Sequence, residues 1–148
     1  GARIVRHPAS KDATDLELAL DEAVALGAEG ILVLGSDGGR LDHLVAGLLL
    51  LGSRAYRHVA VDAVLGGTHV AVIHGSRDLT GTAGETLSLL PLGGPAVGVT
   101  TRGLEYPLHG ERLEPGTTRG VSNVFAAATA SVSVEQGTLL ALRPGRIP

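Results

Sequence analysis

Ile31-Leu32-Val33-Leu34-Gly35-Ser36-Asp37-Gly38-Gly39-Arg40-Leu41-Asp42-His43 places a guanidinium, two carboxylates and an imidazole directly after a short apolar run. Residues 31–34 are β-branched at two positions and flanked by glycines, the pattern of a buried strand. Residues 41–51 form an apolar run too long for a strand and end at Gly52, which predicts a buried helix with a glycine C-cap. The polar residues between them are therefore a strand-to-helix turn. In an open α/β sheet, ligands sit beyond the carboxyl ends of the strands, where a helix N-terminus offers N–H groups to anions. Gly38 and Gly39 can take positive φ or admit a ligand close to the backbone. An Asp-Gly-Gly alone is an ordinary tight turn, but the charged set Arg40, Asp42 and His43 on the next helical turn gives this one the chemistry of a site.

Upstream, residues 3–7 alternate weakly before Pro8 and are expected to be a short strand. Thr14-Asp15-Leu16-Glu17 has the form of a capping box, in which the threonine hydroxyl accepts from the N3 N–H and the glutamate reaches back. Apolar residues at 16, 19, 20, 23, 24 and 26 recur at helical spacing, and Gly27 closes the helix. A strand, helix, strand unit of this length is parallel and right-handed, so the ends of both strands share one rim. Lys11 and Asp12 are then expected in the same crevice as Asp37, Arg40 and Asp42.

Residues 58–63 and 69–73 read as two more strands about a Gly66-Gly67 turn. His58, His69 and His74 fit no compact metal-ligand spacing. From about Gly75 helical periodicity gives way to short β-rich runs at 86–92, 96–101, 104–108, 128–134 and 138–142, with Gln136-Gly137 as a hairpin turn between the last two. The expected architecture is an α/β Rossmann-like parallel sheet, incomplete at the N-terminus, over residues 1–75, followed by an all-β sandwich over 76–148. The hinge is expected at residues 75–78.

Composition excludes several function classes. The 148 residues hold 12 basic and 15 acidic side chains, a net charge of −3, with no basic cluster, so nucleic acid is not an expected partner. No cysteine is present for disulfides or thiolate metal sites. No apolar run approaches a membrane span and no signal peptide is recognisable, so a cytoplasmic protein is expected, with no membrane partner. No methionine occurs, and the chain opens directly on a strand-like pattern, which gives the expectation of a processed or truncated part of a longer chain.

Lys11-Asp12-Ala13-Thr14-Asp15-Leu16-Glu17-Leu18-Ala19-Leu20, Gly38-Gly39-Arg40-Leu41-Asp42-His43, Gly103-Leu104-Glu105-Tyr106-Pro107-Leu108 and Arg119-Gly120-Val121-Ser122-Asn123 occur in that order. Together they resemble motifs of the thiamin pyrophosphokinase family, in its C-terminal two-thirds, with the family's acidic N-terminal turns missing. The resemblance implies transfer of a pyrophosphoryl group from ATP to the thiamin hydroxyl, with Mg²⁺ and release of AMP. It implies a homodimer holding thiamin between the sandwich of one subunit and the α/β part of the other.

On this resemblance Lys11, Asp12, Arg40 and Asp42 are the catalytic candidates, with Asp12 and Asp42 on the metal. Asp15, Gly38, Gly39 and His43 are placed on the nucleotide. Ser122, Asn123 and Tyr106 are placed on thiamin, with core packing the expected use of Phe125. Lysine, arginine, carboxylates and helix N-termini on one rim suit phosphoryl-type transfer, which depends on charge stabilisation and positioning. The competing reading is a non-catalytic module that binds a thiamin-type or nucleotide-type ligand.

Overall fold

The computed structural model describes residues 4–6 and 12–145. Among the described residues two helices and ten strands follow one another as α1 (Asp15–Ala25), β1 (Gly30–Gly35), α2 (Leu41–Leu51), β2 (Ala60–Leu65), β3 (Thr68–Ile73), β4 (Ser76–Thr80), β5 (Thr86–Pro91), β6 (Ala96–Arg102), β7 (His109–Leu113), β8 (Asn123–Val124), β9 (Thr129–Ser133) and β10 (Leu139–Pro144), with a 3-10 turn at Arg54–Tyr56. Six strands form one sheet in the order β1-β2-β3-β10-β5-β8, and four form a second in the order β4-β9-β6-β7. An α/β part with a mixed sheet thus leads into an antiparallel sandwich.

Helix α1 begins at the predicted cap with one half of the expected box: the Thr14 hydroxyl accepts from the Glu17 N–H at 3.2 Å, while the Glu17 side chain makes no return bond to the cap. It ends with Gly27 at φ +81, where Gly27 N–H donates to Val24 and Ala28 N–H to Ala23. That pair of bonds satisfies carbonyls that the last helical turn leaves open, and the left-handed φ favours glycine. Helix α2 stops at Gly52 for a different reason. Its φ is −88, and a Cβ built there would lie 2.0 Å from Leu92 Cδ2. Close packing against the loop after β5 explains the glycine, without any need for unusual dihedrals.

β1 and β2 pair in parallel through the α2 crossover, and every other strand pair is antiparallel. The chain's two cores meet at β3 and β10, which pair from Leu139↔Ile73 to Pro144↔Thr68. Because successive side chains on a strand point to opposite faces, Val70, Val72 and Leu140 pack with Leu20, Leu51 and Tyr56 on the helical side. Ile73, Leu139 and Ala141 pack with Val99, Leu113, Phe125 and Val132 inside the sandwich. Across the first turn of the sandwich, Arg77 of β4 donates to Asp62 of β2 at 2.5 Å and to the Val72 carbonyl at 3.3 Å.

Several expectations are corrected. Ile4 to Arg6 carry no regular structure, and the rest of the strand expected at 3–7 lies outside the described residues. β1 is not buried on both faces: Leu32 and Leu34 are 60% and 74% exposed, because only the helical face of this edge strand is covered. Likewise α2 buries one stripe and exposes Leu41, Val45 and Leu49. Residues 76–78 of the hinge expected at 75–78 lie in strand β4 (Ser76–Thr80). Residues 104–108 form a loop, since Gly103 and Pro107 interrupt any ladder and only Leu104 makes an isolated bridge, to Phe125. Gln136-Gly137 does not close a hairpin, because β9 and β10 belong to opposite sheets.

Tyr56 closes the helical core. It is 3% exposed, and its hydroxyl donates to Asp21 of α1 at 2.9 Å. Burial, then the hydrogen bond and negative charge of Asp21, pushes the phenol up to about 12. A raised folded-state value means that this stabilisation is complete below the ordinary value near 10 and is lost as pH rises through about 12. Tyr56→Phe should cost about 1 kcal/mol at neutral pH. In denaturant titrations it should also flatten the fall in stability between those two pH values.

Candidate functional site

The strand-to-helix turn lies at the carboxyl end of β1. Both helices run antiparallel to β1 on the same side of the sheet, so their N-termini share this rim. Leu16 in the first turn of α1 reaches within 3.6 Å of a Cβ built on Gly47 of α2. A cavity of about 470 Å³ opens there, lined by Leu16, Ser36, Gly38, Arg40 and His43 among others. Gly39 has φ +91, and a Cβ at Gly38 or Gly39 would meet nothing within 4 Å, so backbone is open to approach on this side.

Arg40 is the N-cap of α2 and makes no side-chain capping bond. Its guanidinium instead forks onto Asp42, Nε to Oδ1 at 3.1 Å and a terminal nitrogen to Oδ2 at 2.5 Å. This bond holds the Asp42 carboxyl below the usual carboxylate range. The pair is exposed, so its effect on stability is slight. Its importance is that two oppositely charged candidates are already joined. The Asp37 carboxylate bends away to the β2–β3 turn, where a Cβ at Gly66 (φ +57) would fall 2.4 to 2.6 Å from it. Gly66 N–H also donates to the Gly35 carbonyl at 3.0 Å, so the two turns form one unit. This link had no signal in the sequence beyond a pair of glycines.

Asp12 is exposed just before the α1 cap, Asp15 is the first residue of α1, and His43 is exposed in the first turn of α2. Lys11 lies outside the described residues. Among the described residues no three histidine, aspartate or glutamate side chains converge to hold a metal ion. His58 and His74 share a cavity at the opposite rim, and His69 lines another.

Ser122, Asn123 and Tyr106 gather elsewhere, around a cavity of about 540 Å³ that Thr118, Arg119 and Gly120 also line. The Asn123 amide is 3% exposed. Its Oδ1 accepts from the N–H groups of Tyr106 at 3.1 Å and Val124 at 2.8 Å, and its Nδ2 donates to the Tyr106 carbonyl at 2.7 Å. Asn123 thus pins the 104–108 loop to β8 and leaves the Tyr106 ring exposed. Ser122 has φ +57, a left-handed conformation uncommon for a residue with a Cβ, and its N–H donates to the Ser88 hydroxyl at 3.0 Å. Arg119 grips Glu111 with two bonds of 2.7 and 2.8 Å, which lowers the Glu111 carboxyl and cancels the guanidinium charge at the cavity wall.

Two glycines that sequence reasoning treated as motif spacing have defined positions. A Cβ on Gly120 (φ +94) would lie 2.7 Å from the Leu89 carbonyl oxygen, and one on Gly103 (φ +75) would lie 2.3 Å from that of Thr129. Each sets the start of a cavity-forming loop. Left-handed φ against fixed backbone was the signal, and a lone glycine in sequence does not disclose it.

The strand-to-helix turn and the Ser122 cavity have no residue in common. β1 and β8 are the two ends of the six-stranded sheet. At about 4.8 Å per strand, five spacings put them roughly 24 Å apart.

Comparison with known proteins decides the family. The thiamin pyrophosphokinase catalytic domain matches residues 1–62, and the thiamin pyrophosphokinase vitamin B1 binding domain matches residues 71–139. The chain belongs to the thiamin pyrophosphokinase family. The resemblance is therefore not confined to the family's C-terminal two-thirds, as expected from motifs, because the catalytic domain is matched from residue 1. A thiamine pyrophosphokinase of Bacillus subtilis is 27% identical over 139 residues, which cover 93% of this chain and 65% of that protein. The chain thus spans just under two-thirds of this relative's length. The crystal structure of thiamine pyrophosphokinase from Bacillus subtilis superposes with a TM-score of 0.83 at 26% identity, covering 93% of this chain and 66% of that one. For thiamin pyrophosphokinase from Geobacillus thermodenitrificans the values are 0.80 and 31%, covering 95% and 65%.

Asn123→Ala removes three hydrogen bonds at a buried position, each worth about 1 kcal/mol. Urea denaturation should show a loss of about 2 to 3 kcal/mol, with Tyr106 amide exchange accelerated. Gly120→Ala should be destabilising by more than about 1 kcal/mol, since an alanine pays for the left-handed φ before it meets the Leu89 carbonyl.

Proposed function

We propose that this protein transfers a pyrophosphoryl group from ATP to the hydroxyl of thiamin, and that it does so as a homodimer. The observation that carries the dimer is the separation of the two cavities across the full width of one sheet. Neither cavity alone has the equipment for both substrates. A partner subunit that lays its Ser122 cavity against this subunit's Arg40 turn supplies it.

In this reading the thiamin hydroxyl oxygen attacks the β-phosphorus of ATP. The bond from that phosphorus to the oxygen bridging the α and β groups breaks, AMP leaves, and the hydroxyl proton is released. Lys11 and Arg40 neutralise charge on the transferred group, with Arg40 exchanging its bond to Asp42 for phosphate oxygens. Gly38, Gly39, His43 and Asp15 border the nucleotide at the two helix N-termini. Asp12 and Asp42 supply hard oxygen donors for Mg²⁺, and this sparse set suits an ion that takes most of its ligands from phosphates and water. Bound there, the ion would offset negative charge on the phosphates. Tyr106 offers an exposed ring to the thiamin heterocycles, Ser122 a hydroxyl to the aminopyrimidine, and Asn123 holds both in place. The functional division falls near residue 75, with the nucleotide side before it and the thiamin side after it.

The mutual neutralisation of Arg40 and Asp42 favours one other reading, a module that binds thiamin or a nucleotide without turnover. Subunit complementation separates them. Arg40→Ala and Tyr106→Ala should each reduce formation of thiamin diphosphate severely. Mixing the two variants under subunit exchange should restore activity to about a quarter of wild type, since half the dimers then carry one intact composite site. No recovery would place both halves of the site within one chain, and thiamin binding without AMP release by the wild type would favour the non-catalytic module.

A further inference from the structure

We propose a second, oxyanion-binding site at the opposite rim of the six-stranded sheet, built to take the phosphate of a small phosphorylated ligand. The crossover helix α2 carries the chain from the carboxyl end of β1 back to the amino end of β2, so residues 52–58 lie at the rim away from Gly38 and Gly39. β3 and β5 end at this rim and β10 begins there, since Leu139 is paired with both Ile73 and Pro91. Between these ends and the 52–58 segment lies a cavity of about 1090 Å³.

Its charge is unbalanced. Arg54, Arg57 and Arg112 line it with two imidazoles, His58 and His74, and a single carboxylate, Glu135. Arg112 is bound to Glu114 at 2.5 Å. Glu135 folds against Gly98, where a Cβ would lie 2.4 Å from its carboxyl carbon. Among the described residues Arg54 has no ion pair, and Arg57 has only a long bond of 3.4 Å to the His58 ring. Two guanidiniums are thus left for a ligand. Burial, with the nearby Arg57 charge, keeps the His74 imidazole below its ordinary value, and its Nδ1 sits 3.1 Å from the Thr138 hydroxyl.

The wall also says what kind of ligand fits. Among the described residues no phenylalanine, tyrosine or tryptophan lines this cavity, so it offers no large apolar ring as a platform for a nucleobase or a thiamin ring. Gly93 and Gly94 lie on the rim with positive φ, and a Cβ on either would meet nothing within 4 Å, so backbone is exposed beside the cations. Planar guanidiniums with accessible peptide groups match a compact, multiply charged oxyanion. The inference is independent of the pyrophosphoryl-transfer reading, since it uses none of that site's residues.

The test is a titration of ¹⁵N-labelled protein with inorganic pyrophosphate at low ionic strength, where such contacts are least screened. Saturable shifts of the Ser53, Gly75, Gly93 and Gly94 amides are expected. In an Arg54→Gln/Arg57→Gln variant these shifts should require at least about tenfold more pyrophosphate, as the loss of charge-assisted bonds implies. Arg40→Ala should leave them unchanged. Arg54→Gln alone gives the same direction if the double variant folds poorly. Shifts confined to Gly38 and Gly39, or the same curve at Gly93 and Gly94 with and without the two arginines, would overturn the proposal.

Discussion

The pairing of β3 with β10 is the constraint on which the remaining structure depends. The alternate side chains of these two strands serve both cores evenly: Val70, Val72 and Leu140 belong to the helical side, Ile73, Leu139 and Ala141 to the sandwich. A shift of register by one residue would turn every one of these side chains to the wrong face. The α/β part and the sandwich are therefore not beads joined by a linker. The Arg77–Asp62 bridge, partly screened from water, adds a polar tie at the same seam.

The sheet that unites the cores also separates the chemistry. Charge-bearing turns gather where α1 and α2 begin, beside β1, and the cavity of Tyr106 and Ser122 gathers beside β8. One feature of sheet order thus sets the distance between the two clusters. The local devices differ accordingly. At the first cluster the backbone is open at Gly38 and Gly39 and the side chains are exposed. At the second the backbone is fixed, by Gly103, Gly120 and the Asn123 amide, so that exposed groups stand in set positions.

Elements with local signatures were legible in the sequence. Thr14 and Glu17 mark the start of α1 and Gly27 its end, and the length of the apolar run at 41–51 separates α2 from a strand. Motif order pointed to the family, though it confined the resemblance to the C-terminal two-thirds where the catalytic domain is matched from residue 1. What was not legible depended on partners distant in sequence. Ser76-Arg77-Asp78-Leu79-Thr80 and His109-Gly-Glu-Arg-Leu113 carry too few apolar residues to read as strands, yet both are strands because β9 and β6 offer them ladders. Gln136-Gly137 has hairpin chemistry, but Gly137 (φ +98) serves a passage between sheets, with a Cβ 2.4 Å from the Pro95 carbonyl. The Asn123 clamp joins residues 17 apart through main-chain atoms, which carry no sequence code.

Sharing strands between cores has a consequence for biosynthesis. β10 supplies residues 139–144 to both, at a sequence separation of about seventy from its partner β3. While a ribosome is still making the sandwich, β3 and β5 have an open place between them, and neither core can close. The half-made chain displays apolar strand edges until β10 is threaded in, the state most exposed to chaperone capture or aggregation.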